Sequence, residues 1–97
     1  MWYSPSLQQL RFLEAVLEEG NFVRAADRRH TTHSTISRSL KALNNGLGID
    51  LFDKTSRGMK PSGVGRVYGT QVRRSLEQAK LAFDLARYEA DLHRRPF

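Results

Sequence analysis

Seven residues in a span of ten carry the chemistry most worth explaining: Thr32, His33, Ser34, Thr35, Ser37, Arg38 and Lys41. They offer hydroxyls, an imidazole, a guanidinium and an ammonium, all groups that hydrogen-bond at short range. None of the combinations needed for covalent catalysis accompanies them. There is no Ser/His/Asp constellation and no glycine-rich loop following a strand, and Glu18-Glu19 closes an amphipathic helix facing solvent. An enzyme is therefore not expected, and no catalytic residue is assigned. Metal binding fares no better, because His30, His33 and His93 have no cysteine or carboxylate at ligand spacing and the chain has no cysteine at all. What the cluster can do is contact base edges. A helix entering the major groove of DNA needs short polar side chains at its start, a cationic flank and an apolar back. Ile36, Leu40 and Leu43 supply that back.

A second cluster follows directly. Lys54, Arg57 and Lys60 surround Thr55-Ser56-Arg57-Gly58, a turn-rich stretch between Leu51-Phe52 and Met59-Lys60. The pattern predicts a short β-hairpin with a basic tip, Gly58 allowing the tight turn and Pro61 stopping the second strand. Such a tip could meet a phosphate backbone or a minor groove.

The elements that must position these groups can be read from periodicity. A first helix is predicted from Ser6, its cap, to Glu19, with Leu7, Leu10, Leu13, Val16 and Leu17 on one face and Gly20 ending it. A short second helix should follow Asn21, roughly Val23 to Arg29, with Phe22 packed back on the first and Ala25-Ala26 allowing close approach. His30-Thr31-Thr32 is then a turn of helix-turn-helix length. The third helix starts after the cap Thr32 and runs to about Asn45, ended by Gly46 and Gly48. The last and longest should run from Gly63 to His93, with Gly69 permitting a close contact. Along it, Tyr68, Val72, Leu76, Ala79, Phe83, Ala86 and Ala90 alternate steps of four and three, which is a heptad seam. Leu81, Leu85, Tyr88 and Leu92 form a second stripe. The domain is too small to cover this much apolar surface, so the helix is expected to pair with that of another chain. Trp2 and Tyr3 are expected to pack. The fold class is mainly α: a winged helix-turn-helix in residues 1–62 and a long dimerisation helix in 63–97.

Charge follows the same division. The chain has 97 residues and a formal net charge of +6. Residues 21–66 hold nine bases and three acids, so the whole excess can be assigned to the segment carrying both clusters. A polyanion is the partner such a block implies. The chain has no run of membrane-spanning length and no signal peptide is evident, so a cytoplasmic location is expected.

Three stretches, "LRFLEAVLEEGNFVRAADRRH", "STISRSLKALNNGLGIDLF" and "DKTSRGMKPSGVG", occur in the order found in the N-terminal domain of LysR-type transcriptional regulators. The chain resembles that family from Leu10 to Gly65, and the long helix extends the likeness. The resemblance implies double-stranded DNA as the partner, homodimers or tetramers paired through an antiparallel linker helix, and no cofactor for binding. An effector ligand is implied only if a C-terminal inducer domain exists. Carried over by position, base and phosphate contacts fall on Thr32, His33, Ser34, Ser37 and Arg38, and wing contacts near Lys54 and Arg57. Several positions depart from the pattern. His33-Ser34 stands where glutamine and proline are common, Arg29 where a buried leucine is usual, and Thr31 where an apolar residue is usual. Asn44-Asn45-Gly46 replaces an acidic run, softening the helix end. Lys54 replaces an arginine, and Pro61-Ser62 replaces leucine-threonine, leaving Ser62 able to cap the last helix. A second class of function stays open: a module that pairs with a full-length regulator through the long helix.

Overall fold

The computed structural model describes residues 2–56 and 58–94. Four helices and one hairpin follow in the order α1 (Leu7–Glu19), α2 (Phe22–Arg28), α3 (His33–Leu47), β1 (Phe52–Thr55), β2 (Gly58–Pro61) and α4 (Gly63–Leu92). Each helix begins where a side chain can take up an amide that the helix itself leaves unpaired. Ser6 Oγ accepts from Gln9 N at 3.1 Å while the Gln9 side chain accepts from Ser6 N at 2.9 Å, a reciprocal cap. Asn21 Oδ1 accepts from Arg24 N at 3.0 Å. Thr32 and Ser62 cap α3 and α4 in the same manner. Gly20 and Gly48, both left-handed, end α1 and α3.

The core lies between α1, α2, α3, the hairpin base and the first half of α4. Leu13, Ile36, Leu43 and Leu51 are its fully buried large side chains. Burying each is worth about 1.5–3 kcal/mol against exposure. On α1 the buried set is Phe12, Leu13, Ala15 and Val16, while Leu7 is exposed. Leu7 was expected on the inner face, but it occupies the first helical position, where no neighbouring element covers it. Ala25 and Ala26 are buried as expected. Trp2, expected to pack, is 83% exposed.

The helix α3 runs through Gly46 to Leu47, two residues past the expected end. At Gly46 the Tyr3 ring lies directly on the helix, and a Cβ there would overlap the ring. Asn44 does not soften this end but anchors it. Its carbonyl accepts from Gly48 N and Ile49 N, and its Oδ1 accepts from Leu51 N at 3.2 Å.

From Leu51 the chain turns a corner. Ser62 is buried, accepts from Gly65 N at 2.9 Å and donates to the Asp50 carbonyl at 2.8 Å. Ser62 N also donates to the Leu51 carbonyl. One serine thus caps α4 and ties it to the segment leading into β1. The helix arrives so close that a Cβ on Gly65 would collide with the Leu51 carbonyl. Four residues on, Gly69 admits the Leu17 side chain, the close contact its placement predicted. The hairpin is antiparallel, with Phe52 opposite Pro61 and Thr55 opposite Gly58, so Pro61 is the last residue of β2.

Past Leu76, α4 leaves the domain. The molecule extends 61 Å along its longest axis, with a radius of gyration of 16.5 Å. A compact chain of this length would have about 13 Å. Val72 and Leu76 are buried in the chain's own core and Tyr68 packs against it. These three residues, assigned to the seam between chains, are therefore covered first by their own domain. Burial raises the Tyr68 phenol above its ordinary range, with Tyr3 adding to the effect. The rest of the seam is bare: Ala79, Phe83 and Ala86 are exposed, Phe83 at 64%. Leu81, Leu85, Tyr88 and Leu92 are exposed as well.

Two glycines at the start of α4 give a sharp contrast. Gly65→Ala should cost about 3 kcal/mol or more, because backbone rather than a flexible side chain blocks the methyl. Gly63 faces open space, so Gly63→Ala should be neutral or stabilise by about 0.5 kcal/mol. Urea unfolding of the two variants beside the parent checks both.

Candidate nucleic-acid interface

Helix α3 is laid on the core along Ile36, Leu40 and Leu43. At 3.6 residues per turn, the opposite side consists of Ser34, Arg38, Lys41 and Asn45. All four are exposed. His33 and Ser37 lie on the flank toward α2 and the hairpin. Thr35 and Ala42 lie on the flank toward the N-terminal residues, where a shallow groove of about 510 Å³ is shared by Tyr3, Ser4, Gln9 and Arg38. Burying three apolar side chains therefore turns Ser34, Arg38 and Lys41 outward and leaves His33, Thr35 and Ser37 on the flanks.

The turn before α3 is built from backbone bonds. His30 N donates to the Asp27 carbonyl at 3.1 Å and Thr31 N to the Ala26 carbonyl at 2.9 Å. His30 takes up the left-handed conformation, φ 55°, which reverses the chain within three residues. Arg29 is half-buried, and its Nε has no hydrogen-bond partner among the described residues. An arginine thus fills a place between helices where an apolar side chain would leave no donor unmet.

At the start of α3 the hydroxyls work as a group. Thr32 Oγ1 accepts from Thr35 N at 3.1 Å, lies 2.8 Å from Thr35 Oγ1 and 3.3 Å from Ser34 Oγ. Thr32 is half committed to the cap, while the Ser34 and Thr35 hydroxyls keep lone pairs and protons for an outside partner. His33 is set differently. Its ring centroid lies 5.5 Å from that of Phe22, tilted by 42°. Phe22 in turn meets Phe52 edge-on at 5.7 Å. The Phe22 ring, which packs against the core, thus also bridges α3 and the hairpin.

The cations divide into two kinds. Arg28 forms ion pairs with Glu18 and Glu19. Hydrogen bonding to Glu18 leads the causes that hold its guanidinium above the usual range. One base of the central block is thus matched by α1, and the two glutamates do more than face solvent. Arg38, Lys41, Lys54 and Lys60 are exposed and form no ion pair among the described residues. Lys54 sits on β1 opposite Met59, and Lys60 on β2 opposite Asp53. Arg57, assigned to the wing tip, lies outside the described residues. A groove of about 480 Å³ separates α3 from the hairpin, and Phe22, His33, Ser37, Lys41, Phe52 and Met59 are among its walls. The sequence reading missed Phe22 as part of the site, since no spacing rule joins residues 22, 33 and 52. It also missed Asn44, whose type resembled a loosened helix end.

Comparison with known proteins places this arrangement. Residues 7–66 match the bacterial regulatory helix-turn-helix proteins of the lysR family. The chain is 37% identical over 75 residues to the HTH-type transcriptional regulator ClcR of Pseudomonas putida, a stretch covering 77% of the chain and 26% of that protein. It spans about a quarter of the length of that relative. Among solved structures, the DNA-binding domain of CbnR in complex with DNA superposes with a TM-score of 0.80 at 34% identity, covering 88% of this chain and 98% of that one. The BenM DNA-binding domain on its benA site 1 DNA superposes at 0.85 with 28% identity, covering 91% and 99%.

Removing the shared hydroxyl should loosen the start of α3. Thr32→Ala should lower stability by about 1 kcal/mol, and Thr32→Ser should restore most of it. Chemical denaturation of both variants provides the check, and equal losses in the two would count against capping.

Proposed function

The chain belongs to the lysR family of bacterial regulatory helix-turn-helix proteins, and from that premise we propose that it binds double-stranded DNA sequence-specifically, as a homodimer, in the regulation of transcription. The observation that carries this reading is the outward face of α3. Ser34, Arg38 and Lys41 stand exposed along one side of a helix whose other side is locked in the core. The superposition on two DNA-bound domains supports it further. In this reading the start of α3 lies in the major groove, Thr32, His33, Ser34, Thr35, Ser37 and Arg38 contact bases or adjacent phosphates, and Lys41, Lys54 and Arg57 engage the backbone. Arg38 is the leading base contact, since a guanidinium can make two hydrogen bonds to one guanine edge. No catalytic role is assigned, and binding needs no cofactor. The cytoplasm is the proposed location. Among the described residues no helix is long and apolar enough to cross a membrane.

Pairing is assigned to the free half of α4, around Ala79, Phe83 and Ala86. Its ion pairs cannot account for so long a helix by themselves. Lys80–Asp84 and Arg87–Asp91 place the base before the acid, the weaker orientation against the helix dipole, and such pairs are worth only about 0.2–0.5 kcal/mol each. A helix gains most of its stability from packing an apolar face, and beyond Leu76 the packing must come from outside the domain. The winged unit and the pairing helix, divided between residues 62 and 63, share one core through Val72 and Leu76. A two-fold dimer would then present two α3 helices to successive major grooves, and its target would be an imperfect palindrome.

Selection from random duplexes at two salt concentrations tests the reading. An enriched dyad is expected, with Arg38→Ala losing preference at one base pair by about 1–3 kcal/mol. Binding that is uniform over sequence and steep in salt would reduce the activity to a grip on phosphate. The free seam has its own test: Phe83→Asp should shift the dimer to monomer in sedimentation while leaving the melting of the winged unit nearly unchanged. Leu76 cannot serve in that experiment, because its substitution would disrupt the core. If Phe83→Asp abolished biological activity while Arg38→Ala left it intact, pairing with another regulator would be the activity of this chain.

A further inference from the structure

The ring contact between Phe22 and His33 joins a residue of the proposed reading face to the interior. His33 is exposed at the first position of α3, yet its imidazole lies beside the Phe22 ring, with centroids 5.5 Å apart and planes tilted by 42°. Phe22 is itself fixed by the edge of Phe52, at 5.7 Å and 64°. These three rings run from the base of the hairpin, through the start of α2, to the start of α3. They line the groove between α3 and the hairpin, which a DNA strand lying along α3 would border.

Orientation matters more for an imidazole than for the other polar groups on this face. A neutral imidazole carries one N–H donor and one bare nitrogen acceptor on different parts of its ring. Either nitrogen can carry the proton, so one nitrogen can donate to an acceptor such as guanine O6 or purine N7, or accept from the amino group of adenine or cytosine; what the ring's orientation fixes is which base position a nitrogen reaches. A freely rotating ring would serve all of these and select among them weakly. A ring held before binding selects, and loses less freedom on binding. Aromatic pairs at this separation favour one arrangement over others.

We propose that Phe22 is a positioning residue for base selection: its ring, braced by Phe52, holds the His33 imidazole where it meets one base edge in the major groove. This rests on the DNA-binding reading above. Phe22 touches no base. It acts through His33, so two residues that share no element decide one letter of the target. An amide side chain at the same place would present a donor and an acceptor together, the pattern that suits adenine.

The test is selection from random duplexes with the intact chain and with Phe22→Leu, Phe22→Met, His33→Gln and the double variant Phe22→Leu/His33→Gln, each first checked for cooperative melting. The parent should prefer one base over the others roughly tenfold at one position of each half-site, the size of a single good contact. His33→Gln should change the preference at that position alone. Phe22→Leu should lower the parent's preference there to about twofold while the other positions keep theirs, and in the double variant should add nothing to the effect of His33→Gln. Phe22→Met carries the same expectation should the leucine variant not melt cooperatively. If Phe22→Leu weakens binding evenly on all duplexes with that preference intact, Phe22 is a packing residue only and the proposal is wrong. It is equally wrong if His33→Gln leaves the preference at that position unchanged. If the parent enriches no motif at all, the DNA-binding reading fails first and takes this inference with it.

Discussion

Leu13, Ile36 and Leu43 are withdrawn wholly from water, and their contact settles which side of α3 remains to meet anything else. A helix has one circumference. Once Ile36, Leu40 and Leu43 are committed inward, Ser34, Arg38 and Lys41 have no direction left but outward. The same commitment fixes how far α3 protrudes, because Ala25 and Ala26 let α2 lie close behind it. An apolar contact with no polar atom of its own thus orients the polar surface, and loosening it would blur every contact that α3 makes.

The hairpin and α4 depend on a second, smaller constraint. At Asp50-Leu51 the chain is held by backbone and side-chain bonds from Asn44 and Ser62. Gly65 then brings α4 against the Leu51 carbonyl itself. Corners of this kind tolerate little, because their polar groups are buried and must be met within the chain. Here they set the position of the wing relative to α3 and the direction in which α4 leaves the domain. The groove beside His33 exists because the corner holds Phe52 where it can brace Phe22.

Charge is distributed with the same economy. The Arg28 guanidinium is held by Glu18 and Glu19, while Arg38, Lys41 and Lys54 remain exposed on the side of α3 and the hairpin. A formal charge of +6 does not convey this placement, since these three cations stand on two elements that border one groove. Along the far half of α4 the pattern differs: bases and acids alternate in i, i+4 pairs and leave bare apolar stripes between them. One end of the molecule suits a polyanion and the other an apolar neighbour.

The helix order, caps, hairpin and outward face of α3 were all legible in the chain. They depend on local rules: a serine, threonine or asparagine before an apolar period, a glycine after it, and a turn-rich run between short strands. The seam of α4 was legible as a pattern but not as an allocation. Periodicity treats Tyr68, Val72 and Leu76 as equivalent to Ala79, Phe83 and Ala86, whereas only the folded domain decides where its own surface ends. Gly46 signals a helix end by type, yet it lies inside α3, where its bare Cα makes room for the ring of Tyr3, more than forty residues earlier. Asn44, Gly65 and the run of rings from Phe52 to His33 share that origin. Each depends on a contact between distant segments, and a sequence records such contacts only as residue types whose local preferences point elsewhere. What the sequence determined by itself was the elements and the chemistry of their faces. What the tertiary structure decided was which apolar residues this chain covers for itself, and which ring stands behind His33, because burial and ring packing depend on positions in space that local spacing does not encode.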